Sequence, residues 1–304
     1  MKNTKKSLLI TLIIFLSGNV QAAFEVKEIP EKHIDVKYEG KVIARVMTAY
    51  DDSTKETRHE TYKVYTHVYD RDGLKPITKG AGGQFTHHRG IFIGWSKTKF
   101  SGKSVDSWHM KGCDQVYKKI IKSNVDDNSA SLTILIEWVT SDGVVFISEE
   151  RTQVFQMVEG SEAFLEVDFN TELKALAADI ELNGDPEHAG CQFRPSNEVS
   201  KNKSAKYLFH KEEVDPKKDR DLPWVAESFK IADQMYFAQH MSHPTIPKGN
   251  IYSAYRDYGR FGAYFVSKIS KNESLKLNYK FVIGNGEMPG RNYFNSRYKA
   301  FTNQ

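Results

Sequence analysis

Apolar and polar residues alternate with a period of two through most of this 304-residue chain, which leaves little room for anything but β-structure. Ile34, Val36 and Tyr38 share one face, and Gly40 then turns the chain into Val42 to Met47. Between Tyr62 and Tyr69, the side chains of Tyr65, His67 and Tyr69 fall on one side and those of Val64, Thr66 and Val68 on the other. Leu132, Ile134, Ile136 and Trp138 mark a longer strand, which Ser141-Asp142-Gly143 reverses into Val144 to Phe155, a hairpin pattern. Ala163 to Phe169, Gln234 to His240, Gly262 to Val266 and Leu275 to Ile283 continue the alternation. No dozen residues carry the 3.6-residue apolar stripe of a helix. The pattern predicts an all-β fold, a single large antiparallel β-sandwich, of which the galactose-mutarotase-like supersandwich is one form.

Asp51 to Glu60, Lys97 to Ser104 and Lys211 to Pro223 read as polar loops, because strand patterns resume on both sides without a shift in composition. One domain over residues 23–304 follows. Residues 1–22 stand apart. Lys2, Lys5 and Lys6 precede the apolar run Leu8 to Leu16, and Val20-Gln21-Ala22 has the small-residue pattern of a cleavage site. The run is too short for the ~20 residues of a membrane helix. A cleaved signal peptide and a periplasmic or secreted protein without a membrane span are therefore expected. Those three lysines also account for most of the formal charge of +4, so the remainder is near neutral and gives no reason to expect a nucleic-acid partner. In an oxidising compartment Cys113 and Cys191 could pair, a bridge worth up to ~4.5 kcal/mol by chain entropy. Two buried free thiols fit the sequence equally well. A bridge would bring Trp108-His109-Met110 close to His188-Ala189-Gly190.

The densest chemistry lies in Lys79-Gly80-Ala81-Gly82-Gly83-Gln84-Phe85-Thr86-His87-His88-Arg89-Gly90, which runs into the apolar strand Ile91 to Trp95. Three glycines in four residues permit an unusual backbone, and two imidazoles and a guanidinium then meet at the mouth of a buried strand. No Lys-Ser pair and no helix follows, so this is not a phosphate loop. Asp106-Ser107-Trp108-His109, Asp185-Pro186-Glu187-His188 and Tyr255-Arg256-Asp257-Tyr258 are similarly rich, and His67 lies on the polar-aromatic face of its strand. His33, His59 and His210 read as ordinary structural histidines.

The run Tyr65-Thr66-His67-Val68-Tyr69-Asp70, the glycine-rich approach to His87-His88-Arg89-Gly90 and the segment from His188-Ala189-Gly190 to Arg194 resemble a bacterial family labelled methane oxygenase PmoA, in effect a family of unknown function. The resemblance covers most of the chain after the leader, and His-His-Arg-Gly is its most specific piece. Such proteins accompany sugar oxidoreductases, sulfatases and glycosidases in carbohydrate-degradation gene sets, so the resemblance implies a saccharide substrate.

Elimination beside a uronate carboxylate suits these side chains. It needs a base, a cation on the carboxylate and an acid for the departing oxygen. The expected roles are His87 or His88 as base, His188 as a second proton-handling group, and Tyr65 or Tyr255 as acid. Arg89 and Arg194 would hold the carboxylate, while His67, Trp108, His109 and Arg256 would line the sugar site. The partner would be an oligo- or polysaccharide, sulfated algal material included, and the reaction that of an oligosaccharide dehydratase or a polysaccharide lyase. No cofactor is required. Three alternatives remain open at this point: a divalent metal held by His67, His87, His88, His109 and His188; a glycoside hydrolase using Asp106 and Glu187; and a non-catalytic carbohydrate-binding protein.

Overall fold

The longest alternating runs form the longest strands. Ser129–Thr140 and Val145–Met157 pair antiparallel across the turn at Ser141-Asp142-Gly143, where Gly143 takes a φ of 81°. In the computed structural model, residues 23–160 and 162–303 are described; the expected signal peptide, residues 1–22, lies outside the described residues.

Two eight-stranded antiparallel sheets make up the body of the fold. In spatial order the first contains Phe24–Ile29, His33–Tyr38, Lys41–Met47, Tyr65–Val68, Ile91–Trp95, Ala189–Phe193, Phe261–Tyr264 and Ile251–Tyr252. The second contains Lys206–Phe209, Trp224–Ile231, Gln234–Ser242, Ser274–Asn285, Ala163–Ala175, Val145–Met157, Ser129–Thr140 and Cys113–Val125. Their inner faces share one apolar core, in which Val36, Ile91, Ile93 and Trp95 of the first sheet join Ile134, Phe155, Phe169 and Phe281 of the second. This is the expected all-β sandwich. A four-stranded sheet, Ser267–Ile269, Ile180–Asn183, Lys97–Phe100 and Lys103–Val105, adds to it.

One buried ion pair lies inside the sandwich. Arg151 and Glu149, both fully buried, form a two-bonded ion pair at 2.7 and 3.1 Å. Thr171 and Trp138 donate to the same carboxylate at 2.8 Å each, so the buried charge keeps its hydrogen-bond shell. Cys113 and Cys191 are buried and free.

Local expectations change in three places. Lys97 to Ser104 holds two short strands rather than a loop, with Thr98 and Phe100 turned inward. Asp51 to Glu60 contains most of a helix, Lys55–Thr61, started by a capping box between Thr54 and Thr57. It buries no residue, so it has no apolar stripe to detect. A twelve-residue helix, Arg291–Thr302, closes the chain; Phe294 and Phe301, seven positions apart on one face, bury against a patch that includes Trp224 and Phe237. No described helix is long and apolar enough to cross a membrane.

Candidate functional site

Thr66 shows which way the first sheet faces. Its Oγ1 donates inward to Gln153 Oε1 of the second sheet at 2.9 Å, so its neighbours Tyr65 and His67 face outward. In the strand Ile91–Trp95 the core takes Ile91, Ile93 and Trp95, leaving Phe92 and Gly94 on the outer face. Gly94 admits the Ser107 backbone, since a Cβ there would lie 2.3 Å from Ser107 O. Trp108 then packs with Phe92 and Tyr65 in a separate apolar cluster. The outer face is thus covered by the loops that carry the distinctive histidines.

Two of those loops hang from the end of the same strand. Ser107 N donates to Trp95 O at 2.9 Å, and Ser96 N donates to His188 O at 3.0 Å. The proximity of the Trp108 and His188 segments, which the sequence tied to a disulfide, is produced by strand pairing without one. Gly190 is part of this arrangement: with φ at 87°, its backbone lies so close to the next strand that a Cβ would sit 1.9 Å from Ala263 O. Gly190→Ala is expected to destabilise the fold by about 2–4 kcal/mol, read as a lowered denaturant midpoint. An unchanged midpoint would contradict the close approach.

Three half-exposed imidazoles converge here. The ring centroids of His87 and His109 are 4.3 Å apart, and those of His109 and His188 are 5.2 Å apart. His109 Nδ1 lies 2.7 Å from Asp106 Oδ2, while Asp106 Oδ1 accepts the backbone N–H groups of Trp108 and His109. Burial pushes the Asp106 carboxyl up, but the bonds from His109 and Trp108 together hold it below its usual range. His188 Nδ1 sits 2.9 and 3.0 Å from the two oxygens of Asp185. In each dyad the carboxylate accepts from Nδ1, which leaves Nε2 as the nitrogen free to exchange a proton. His87 is different. Burial first, then the charges of Lys63 and the neighbouring imidazoles, push it down to about 2, so it is neutral at any working pH.

Cations underlie the cluster. Arg89 and Arg194 are fully buried and Lys79 nearly so. Arg89 donates to His59 O and His88 O and faces the rings of Tyr62 and Tyr65. Arg194 donates to Tyr258 O and Ser200 Oγ. Lys79 gathers the carbonyls of Gly80, Gly82 and His88, which shapes the glycine loop from beneath; burial and the two arginines lower its pKa to about 7. The two buried arginines place positive charge behind a partly exposed imidazole cluster, which favours an anionic ligand.

The expected site residues therefore divide. His87, His109 and His188 come together. Arg89 and Arg194 are fully buried, support loops from inside through bonds to carbonyls and a hydroxyl, and do not reach a ligand. His88 is buried behind His87, with burial and His87 pushing its pKa well down. Tyr65 and His67 are buried beneath the glycine loop, His67 Nδ1 lying 3.0 Å from Thr78 Oγ1, and their burial moves them to about 12 and about 4. Trp108 is fully enclosed and offers no face to a sugar. Tyr255 and Arg256 stand at the rim. Arg256 donates to Glu187 Oε1 at 2.5 and 3.0 Å, and Arg260 NH2 lies 3.3 Å from Glu187 Oε2.

That clamp bears on hydrolysis. Burial raises the Glu187 carboxyl, but bonds from Arg256 and Tyr255 outweigh it and hold it low, as happens at Asp106. A glycosidase needs one carboxyl kept protonated, and neither of this pair is. Among the described residues no group of three or more His, Cys, Asp or Glu side chains is arranged to hold a metal ion. Sequence reasoning missed Lys63, which lies inside the cluster, and Glu227, a fully buried acid pushed well up by burial and packed so close beneath Gly259 that a Cβ there would be 2.6 Å from its Oε1. Neither sits in a motif that would mark it.

The chain belongs to a family of unknown function, DUF6807, whose pattern matches residues 33–295. No curated protein matches it. Among solved structures it is similar to a mutant of the heparan sulfate lyase HepC from Pedobacter heparinus, at 8% identity and a TM-score of 0.45, over 87% of this chain and 37% of that one. It is also similar to the Slr1438 protein from Synechocystis, at 10% identity and a TM-score of 0.36, over 90% and 99% of the two chains. The chain thus spans well under half the length of that lyase.

Proposed function

We propose that this protein is an exported carbon–oxygen lyase that acts on uronate-containing oligo- or polysaccharides by β-elimination at the imidazole cluster of His87, His109 and His188. The observation that carries this reading is the pair of carboxylate-backed imidazoles, His109 on Asp106 and His188 on Asp185, with ring centroids 5.2 Å apart over buried cations. One such ring can take a proton while the other gives one.

In this reading His109 Nε2 removes the proton on the carbon beside the uronate carboxylate. The electron pair of that C–H bond becomes the new C=C bond, the adjacent C–O bond breaks, and the departing oxygen takes a proton from the His188 imidazolium. Charge that builds on the carboxylate in the transition state meets the field of Arg89 from below and Arg256 at the rim. His87, held neutral, contributes a polar wall rather than a base. The Tyr255 phenol, raised to about 12 by burial and Glu187, stays protonated at the rim.

Incubation of the purified protein with uronate-containing saccharides, followed by ultraviolet absorbance and product mass, tests this. Elimination gives an absorbing unsaturated product. Loss of one water without chain shortening identifies a dehydratase, and shortening identifies a polysaccharide lyase. New reducing ends without new absorbance would count against elimination.

A further inference from the structure

We propose that Lys63 is the positioning residue of the imidazole site, a single amine that ties the His87 backbone to the Trp108 backbone and thereby sets the spacing of the His87 and His109 rings. Lys63 precedes the strand Tyr65–Val68 and is 2% exposed. Its Nζ donates to His87 O at 3.0 Å and to Trp108 O at 2.6 Å, joining two loops that approach from different parts of the chain. The same nitrogen stands 4.0 Å from the Phe92 ring centroid and 5.6 Å from that of Trp108.

A lysine is a poor choice for merely filling this space. Burial, followed by the charge of Arg89, pushes its pKa well down, and no carboxylate among the described residues forms an ion pair with it. A methionine would fill the same volume without that penalty. What the amine adds is N–H groups aimed at two loop carbonyls, one belonging to His87 and the other to the residue before His109.

The role rests on reading the three imidazoles as the functional site, and Lys63→Met tests it. In the folded variant the ring nitrogen signals of His87 and His109 should move. The kcat on a uronate saccharide should fall roughly 10- to 100-fold, with KM within about twofold. A purely structural lysine would lower the unfolding temperature and leave the imidazole signals and pH profile in place, which would overturn the proposal. Should the variant fail to fold, the wild-type amine decides: the clamp requires Lys63 N–H signals protected from solvent exchange, and fast exchange would overturn it. The imidazole signals do not depend on turnover. Absence of elimination by the wild type would therefore defeat the proposed reaction alone, whereas unmoved signals in an active Lys63→Met enzyme would defeat the clamp alone.

Discussion

His109→Ala is expected to lower kcat/KM on a uronate saccharide by roughly 10²- to 10⁴-fold, the range of a lost general base, while the protein unfolds close to the wild-type midpoint. The His109 side chain is partly exposed, and its one strong bond is to Asp106, so little packing is lost with it. Asp106→Asn should come close to the same loss by a different route. An amide can present N–H to Nδ1, which selects the tautomer with its proton on Nε2, and the base is then capped. The amide oxygen can keep the backbone N–H groups of Trp108 and His109 that Asp106 Oδ1 now accepts, so the fold should hold. His88→Ala should act chiefly on stability, because its ring is buried behind His87. Wild-type turnover by folded His109→Ala would remove the base from the account.

The second large effect is on stability in acid. Burial is the leading cause that holds His67 at about 4, His87 at about 2 and His240 at about 3, and it pushes His88 well down as well. Each is neutral when folded and titrates near the ordinary 6.5 when unfolded, so below that value the unfolded chain binds more protons. The sign is then fixed: stability is full above about pH 6.5 and falls as pH drops. Each group contributes a slope approaching ~1.4 kcal/mol per pH unit. Four such groups remove on the order of 5 kcal/mol between about pH 6.5 and pH 5, and Glu227, which burial holds protonated in the fold, offsets part of that loss. Denaturant titrations across that range should show the midpoint falling steadily. A flat profile would mean that these imidazoles are protonated in the folded protein. His240→Gln should flatten part of the slope without touching the site, because that ring lies between the sheets, near Tyr252 OH and Cys191 O.

The two sheets were legible because the feature that defines them, alternation, is local in the sequence and set by burial on one face. Helix Lys55–Thr61 was not, since it buries nothing; its only signal was the Thr54-to-Thr57 cap. Phe294 and Phe301 did mark Arg291–Thr302, but two buried residues in twelve make a thin stripe. At the site, composition and loop position found His87, His109 and His188, and they missed direction. His87 and His88 are adjacent, yet one lines the pocket and the other is buried. Arg89 and Arg194 have the chemistry to hold a carboxylate, but each follows the turn of its loop inward and is buried, donating to groups of the fold itself. Which side of a covering loop a residue takes depends on what lies beneath it, here Phe92, Trp108 and Gly94, and those come from elsewhere in the chain. Lys63 was invisible for the same reason, because its two acceptors are backbone atoms of distant loops.

Product mass after incubation in heavy-oxygen water tests the central claim most directly. Elimination forms its double bond without adding solvent oxygen, so the products of the wild-type protein should carry no label beyond the slow anomeric exchange of the same products incubated alone, and His109→Ala should give almost no product. Solvent oxygen incorporated at a new reducing end would show hydrolysis and contradict the account.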